Sequence, residues 1–319
     1  MNQKTLHEYA KDFIDTKRAA GMLYKSGEYS LNRYLKYHEK EFSDCTYPTK
    51  ESVHDYFGTF ANLYCSITSP VIDFCKYLRY LDIPAYVYRS KIIIPQARAP
   101  YIISDSEGEA LFREIDAISP DDKRWKGKEK ILPAFFRLMW CCGTRTKESR
   151  VLLCENVNLS QGYIDILNPK NKRDRRIFLS NELTDYFAVY NSEMDKIRPN
   201  RLYFFPGKKD NIPVSVCGIT QNYSKCWYKA FPEFDRTINI RPYDFRHHFV
   251  YANLNRWLEE GKDINSMIYY LMQVTGHKNI QHLLYYFHLS PDIYEKLETL
   301  SKDLDLLLPE TYYLEEEEE

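Results

Sequence analysis

Apolar residues recur every three or four positions along the first 92 residues, which is the period of an amphipathic helix. In the first such segment Leu6, Tyr9, Phe13 and Ile14 fall near one face. Three further segments keep this period, over residues 29–38, 49–60 and 71–81. The pattern therefore predicts a small helical domain over residues 1–92.

The helical period stops at residues 93–103, where two prolines and one arginine lie in a short stretch. A new helix is indicated next, because Ser104 and Glu107 have the spacing of a capping box. We therefore place a linker at 93–103 and a second domain at 104–308, followed by an acidic tail at 309–319.

The second domain is predicted to be mainly α-helical with one small antiparallel β-sheet. A strongly apolar helix ends at Gly143, and alternation over Tyr163–Leu167 indicates a strand. Residues 168–174 supply a turn, and Arg175–Leu179 form the return strand. Further helices are expected over residues 244–257, 264–273 and 280–287, and from Ser290, with an apolar stripe at Ile293, Leu297, Leu300, Leu304 and Leu307.

Charge leaves the class of partner open. The 319 residues include 44 lysines and arginines against 45 aspartates and glutamates. Removing the five terminal glutamates, Glu315 to Glu319, turns the formal net charge from −1 to +4. We expect the tail to be a solvated end, or less often a mask over a basic surface.

Targeting signals and metal motifs are lacking in the sequence. No apolar run is long enough to span a bilayer, and the N-terminus has no apolar signal-peptide core. The eight cysteines form no CxxC pair, so reduced thiols and no metal site are expected. We expect the protein to stay in the cytoplasm where it is made.

Two patches in the second domain carry cationic side chains suited to phosphate. In GTRTKES, Arg145 follows a glycine turn and Glu148 lies three residues on. An arginine presents its planar fork to a phosphate bidentately, although most arginines are ordinary surface residues. The hairpin tip NPKNKRDRR is strongly basic, which suits either a nucleic-acid groove or a solvated turn.

Two later patches carry histidines and tyrosines. RPYDFRHHF opens a helix with Arg246 followed by two histidines, and TGHKNIQHLLYYFHL contains His277, Tyr285, Tyr286 and His288. Taken singly, each of these is typical of a hydrogen-bonded core histidine or a core aromatic residue. Their order is more informative than any one of them.

In order, the four patches are similar to GxRxSE, a hairpin with GKxxKxRxxPL, HxLRH, and LGH followed by a tyrosine in YxH. This series resembles the tyrosine recombinase (phage integrase) family, including the Xer-type recombinases, over nearly the whole chain. The resemblance implies an N-terminal helical core-binding (SAM-like) domain, then a tyrosine-recombinase catalytic domain that ends in a docking helix.

The resemblance also implies a role for each matching residue. The catalytic set is Arg145, Lys170, Arg246, His277 and Tyr286. Supporting positions are Glu148, Tyr243 and His247, and DNA-binding positions are Lys172, Arg173 and Arg175, with Lys172 also the alternative to Lys170 if the turn shifts.

By resemblance, Tyr286 attacks a DNA phosphate to give a 3′-phosphotyrosyl enzyme, and Lys170 protonates the leaving 5′-oxygen. No cofactor, metal or ATP is implied. The implied partners are double-stranded DNA at core recombination sites and three further copies of the chain, which exchange C-terminal helices; a directionality factor is compatible with this. The expected role is integration or excision of a mobile element by a nucleoid-associated enzyme.

Two departures from the family pattern leave alternatives open. The histidine usual three residues before the second arginine is Tyr243, a poor proton carrier because a phenol has a pKa of about 10. Both segments flanking Gly261 also look longer by about one helical turn. A non-catalytic DNA-binding relative, or a type IB topoisomerase-like enzyme, is the alternative reading.

Overall fold

The computed structural model describes residues 4–89, 100–120, 124–167 and 174–277. The chain divides into two compact units, Met1–Arg98 and Ala99–Glu319. The predicted limits of the linker and of the acidic tail stay predictions.

Over its described residues, 4–89, the first unit contains four helices around an aromatic core. Thr5 and Thr49 cap α1 and α3 through capping boxes, as the spacing of polar residues requires. Phe13, Tyr34 and Phe74 lie at the centre of the core. The helices are α1 (Leu6–Ala19), α2 (Lys25–Glu41), α3 (Lys50–Gly58) and α4 (Cys65–Tyr80).

Helix α4 begins well before the predicted start at residue 71. Pro70 lies inside it and has no N–H, so the carbonyl of Ser66 lacks its usual helical donor. The hydroxyl of Ser30 donates to that carbonyl at 3.0 Å. The sequence pattern treats Pro70 as the boundary of a helix. The contact from α2 allows this proline to lie inside α4 instead.

The second unit is mainly helical, as predicted, and α6 (Lys128–Cys142) lies in its core with nine of its 15 residues buried. Three of its helices, α7, α8 and α9, were missed by the sequence pattern. Its helices are α5 (Asp105–Asp116), α6 (Lys128–Cys142), α7 (Thr146–Arg150), α8 (Asn181–Ile197), α9 (Val216–Ala230), α10 (Asp244–Glu259) and α11 (Ile264–Thr275).

The predicted small antiparallel sheet is confirmed, with a short additional strand. Its order is β1 (Val157–Asn158), β2 (Tyr163–Ile166) and β3 (Arg175–Phe178). Ile164 pairs with Ile177, and both are buried. Because successive side chains of a strand alternate, Arg175 shares the buried face of β3 with Ile177.

The predicted helices over 280–287 and from Ser290 lie outside the described residues. In the part of the chain that the structure describes, no helix is long and apolar enough to cross a membrane. No group of three or more potential metal ligands was found among the same residues.

Candidate active site

The first patch begins at Gly143, a position that only glycine can occupy. Gly143 ends α6 with a φ of +59°, and a Cβ there would lie 2.3 Å from Cδ1 of Phe249. Its carbonyl accepts a hydrogen bond from Nη1 of Arg246 at 2.8 Å. The turn therefore brings the first and third sequence patches together.

Arg145 follows this turn and is fixed by three hydrogen bonds. Its backbone N–H and its Nη1 donate to the two carboxylate oxygens of Glu148, at 3.0 and 2.6 Å. Its Nη2 donates to the carbonyl of Gly276 at 3.0 Å. The side chain remains 20% exposed, so the guanidinium is held in place yet reachable from solvent.

Glu148 is buried between two arginines. Arg175 donates to the same two oxygens that Arg145 contacts, at 3.2 and 2.7 Å. Burial alone would raise the pKa of Glu148, but the hydrogen bonds and charge of Arg175, with those of Arg145, outweigh it and lower the pKa to about 2. Glu148 is therefore an ionised carboxylate at neutral pH.

The second catalytic arginine of the sequence analysis, Arg246, is fully buried in α10. Its Nη2 donates to the carbonyl of Thr275 at 2.7 Å and lies 2.9 Å from Nε2 of His277. A guanidinium only donates, so Nε2 of this imidazole accepts. The arrangement requires His277 to be neutral with its proton on Nδ1.

The other side of the imidazole agrees with this tautomer. Nδ1 of His277 lies 2.9 Å from the hydroxyl of Thr275, which itself donates to the carbonyl of Leu271 at 2.5 Å. With its hydrogen committed to Leu271, the hydroxyl accepts from Nδ1. Thr275, two residues before the histidine, thus orients the ring.

Residues far apart in sequence are therefore joined in one hydrogen-bonded cluster. A comparison with protein families identifies the family of the chain. The model of the phage integrase family matches residues 109–292, more than half of the chain. The chain belongs to the phage integrase family. The cluster lies inside the matched range.

Solved structures agree with this family at the level of the fold. The Tn1549 transposon integrase in complex with circular intermediate DNA is 14% identical, with a TM-score of 0.59, covering 92% of this chain and 99% of that one. The XerH site-specific recombinase bound to difH substrate is also 14% identical, with a TM-score of 0.59, covering 94% and 86%. A comparison with curated protein sequences finds no match.

At the start of α10 this phage integrase family member places Tyr243 beside His247. The two rings meet edge to face, with centroids 5.1 Å apart. Burial, together with the positive charges of Arg241 and Arg246, lowers the pKa of His247 to about 4. His247 is therefore neutral at neutral pH, and the supporting roles of both residues stay predictions.

Arg175 was predicted to contact DNA, but the structure places its guanidinium inside the protein. The side chain is 7% exposed, and its Nε donates to the carbonyl of Val274 at 2.8 Å. The alternation along β3 decides this, because it turns the neighbouring Arg176 outward instead. The predicted contact of Arg175 with DNA stays a prediction.

The remaining predicted site residues cannot be placed in this way. Lys170, Lys172, Arg173 and Tyr286 lie outside the described residues. Their roles as proton donor, DNA contacts and nucleophile stay predictions.

Sequence reasoning missed Asp244, which is fully buried two residues before Arg246. One of its oxygens accepts from the backbone N–H of Arg241 at 2.6 Å. Burial raises its pKa to about 6, although that hydrogen bond and the charge of Arg241 oppose the shift. Only its position at the first turn of a helix hinted at a capping role.

Asp244→Asn is expected to change how stability depends on pH. The folded pKa lies above the ordinary 3.8, so the contribution of Asp244 is full below pH 3.8 and is lost as pH rises through about 6. Asparagine does not titrate. Relative to wild type, the free energy of unfolding of the variant should therefore rise by about 3 kcal/mol between pH 4 and 7. Denaturant unfolding of both proteins at several pH values measures this; parallel pH curves would contradict it.

Proposed function

We propose that this chain is a site-specific DNA recombinase that cleaves and rejoins DNA through a 3′-phosphotyrosyl intermediate. One observation carries the proposal: Arg145, Arg246 and His277 are joined in one cluster by hydrogen bonds through Gly143, Thr275 and Gly276. Family membership supplies the reaction class, and the cluster supplies groups that suit a phosphate.

The charge of the cluster favours phosphoryl transfer. Arg145, Arg175 and Arg246 contribute three positive charges, and Glu148 contributes one negative charge. The surplus is positive, so a phosphate whose negative charge grows in the transition state is stabilised there. Because the arginines are already held by the protein, little reorganisation is needed when DNA binds.

In the proposed cleavage step the phenol oxygen of Tyr286 attacks phosphorus, and the bond from phosphorus to the 5′-oxygen breaks. The phenol proton passes to Nε2 of His277 as Nη2 of Arg246 turns from that nitrogen to the phosphate, and the protonated Nε2 then donates to the phosphate as well. Lys170 protonates the leaving 5′-oxygen. A partner's 5′-hydroxyl reverses the step, so the energy of the broken bond is kept in the covalent link.

We further propose that the substrate is double-stranded DNA at core recombination sites and that four copies act together. The similar structures described above are those of a transposon integrase and a site-specific recombinase, each with DNA. They support integration or excision of a mobile element as the role. The stripe Ile293–Leu307 is the proposed face for docking into a neighbouring copy.

A suicide substrate tests the proposal. Duplexes from the flanks of the gene are nicked beside each candidate site, so that a short fragment leaves after cleavage and religation is prevented. A denaturant-resistant, protease-sensitive protein–DNA band is expected. The released fragment should carry a 5′-hydroxyl that polynucleotide kinase labels without prior phosphatase treatment, which distinguishes a 3′-linkage from a 5′-linkage.

A non-catalytic DNA-binding relative is the second candidate, because Tyr243 replaces the family's usual histidine. Tight, site-specific binding without any covalent band would favour it and would count against the recombinase. Relaxation of supercoiled DNA at arbitrary sequences would instead favour a topoisomerase-like activity.

A further inference from the structure

We propose that Arg175 is a positioning residue: it sets the Arg145–Glu148 pair against the backbone that carries His277, without touching the DNA. The inference rests on the proposed function, because it assigns a role in the same cleavage step. It replaces the DNA contact that the sequence alone suggests for this arginine.

The guanidinium of Arg175 connects two segments that lie far apart in the chain. Two of its nitrogens donate to Glu148, at 3.2 and 2.7 Å, and its Nε donates to the carbonyl of Val274 at 2.8 Å. Glu148 holds Arg145, and Val274 lies three residues before His277. One rigid planar group therefore fixes both segments from β3.

The backbone before the histidine fits closely against this guanidinium. Gly276 has a φ of +67°, and a Cβ there would lie 3.1 Å from Nη1 of Arg175. The carbonyl of the same glycine accepts from Arg145. The glycine thus lets both arginines approach the turn that leads into His277.

Arg175 also leaves Arg145 a positive charge for the substrate. With Arg145 alone, Glu148 would form a neutral pair, and the surplus positive charge of the cluster would fall from two to one, that of Arg246. With both arginines bound to one carboxylate, the group formed by Arg145, Arg175 and Glu148 carries a net positive charge. The carboxylate is 5% exposed, so solvent does little to screen this balance.

The neighbouring arginine provides a matched control. Arg176 lies on the opposite face of the same strand, where it donates to both oxygens of Asp165 at 2.8 and 2.9 Å and stacks over Tyr163. Its side chain is 47% exposed. Arg176→Gln removes the same charge from β3 but leaves Glu148 and Val274 untouched.

The experiment compares Arg175→Gln, Arg175→Lys and Arg176→Gln with wild type on a suicide substrate that wild type cleaves. Equilibrium binding and the single-turnover rate of adduct formation at saturating protein are measured for each. We expect Arg175→Gln to lose about 100-fold in rate, the scale of a small misplacement of reacting groups, with the dissociation constant nearly unchanged. Arg176→Gln should match wild type in both.

The pH profile gives a readout that general damage to the fold would not reproduce. The charged groups that face Glu148 are Arg145 and Arg175, and removing Arg175 raises the pKa of the carboxyl. The rate of Arg175→Gln should therefore fall more steeply at mildly acidic pH than the rates of wild type and Arg176→Gln. Arg175→Lys keeps the charge and should retain the wild-type profile at a reduced rate.

Each outcome decides between the alternatives. No adduct with wild type on a site that it binds tightly overturns the proposed function itself. If wild type reacts and Arg175→Gln cleaves like Arg176→Gln, the positioning role is wrong. Equal losses of binding and rate would instead mean a direct DNA contact. If the glutamine variant fails to fold, Arg175→Lys decides, and a wild-type rate for it overturns the proposal, because one ammonium cannot span Glu148 and Val274.

Discussion

Tyr286→Phe is expected to bind the DNA site as tightly as wild type and to form no covalent adduct. The substitution removes only the phenol oxygen, which is the proposed nucleophile, and keeps the aromatic ring. No other group on that side chain can form the bond to phosphorus. Adduct formation on a nicked suicide duplex and binding to the uncut duplex measure the two quantities separately.

The adjacent tyrosine is the matched control for this variant. Tyr285→Phe makes the same chemical change one residue earlier and should still form the adduct. Normal cleavage by Tyr286→Phe, with loss of cleavage in Tyr285→Phe, would assign the nucleophile to Tyr285. Cleavage by both variants would place it elsewhere in the chain.

Arg145→Ala is expected to lower the cleavage rate by about 100- to 1,000-fold, the usual cost of removing one donor from a charged transition state. Binding should change much less, because the phosphate contacted by Arg145 is one of many along the duplex. Glu148 keeps its two hydrogen bonds from Arg175 in this variant, so the carboxylate stays paired. The measurement is the single-turnover rate at saturating protein beside a binding curve.

Arg145→Lys separates the charge of the side chain from its shape. Lysine keeps the charge but donates from a single nitrogen, so it cannot hold Glu148 and Gly276 and also meet a phosphate. We expect its rate to lie between those of alanine and wild type. If Arg145→Ala weakens binding as much as it slows cleavage, the arginine acts on the bound DNA and not on the transition state.

The predicted helices that the structure confirms are those with a clear apolar period and a local start signal. Ser104 caps α5 through Glu107, and Gly143 ends α6, as their types and spacing require. The pattern missed α7, α8 and α9, and it placed the start of α4 too late because of Pro70. The hydroxyl of Ser30 in α2 replaces the donor that the proline lacks. Nothing in the sequence of α4 indicates this contact.

For the candidate site, the sequence supplied the residue types and their order. It identified Arg145, Glu148, Arg246 and His277 by resemblance, and the structure joins these four in one cluster. It did not find the part played by Asp244. The local pattern could not do so, because an aspartate at the start of a helix is common on protein surfaces and becomes unusual only when packing buries it.

The sequence by itself determined the mainly helical class, the β2–β3 hairpin, the glycine turns and the chemical groups available for phosphate. These depend on near neighbours in the chain, whose spacing fixes caps, turns and the faces of helices and strands. The tertiary structure decided that Arg175 turns inward to Glu148 and which nitrogen of His277 carries its proton. Both depend on partners that lie far away in sequence, Glu148 for Arg175 and Arg246 for His277, and a buried charge or ring nitrogen takes its state from those partners.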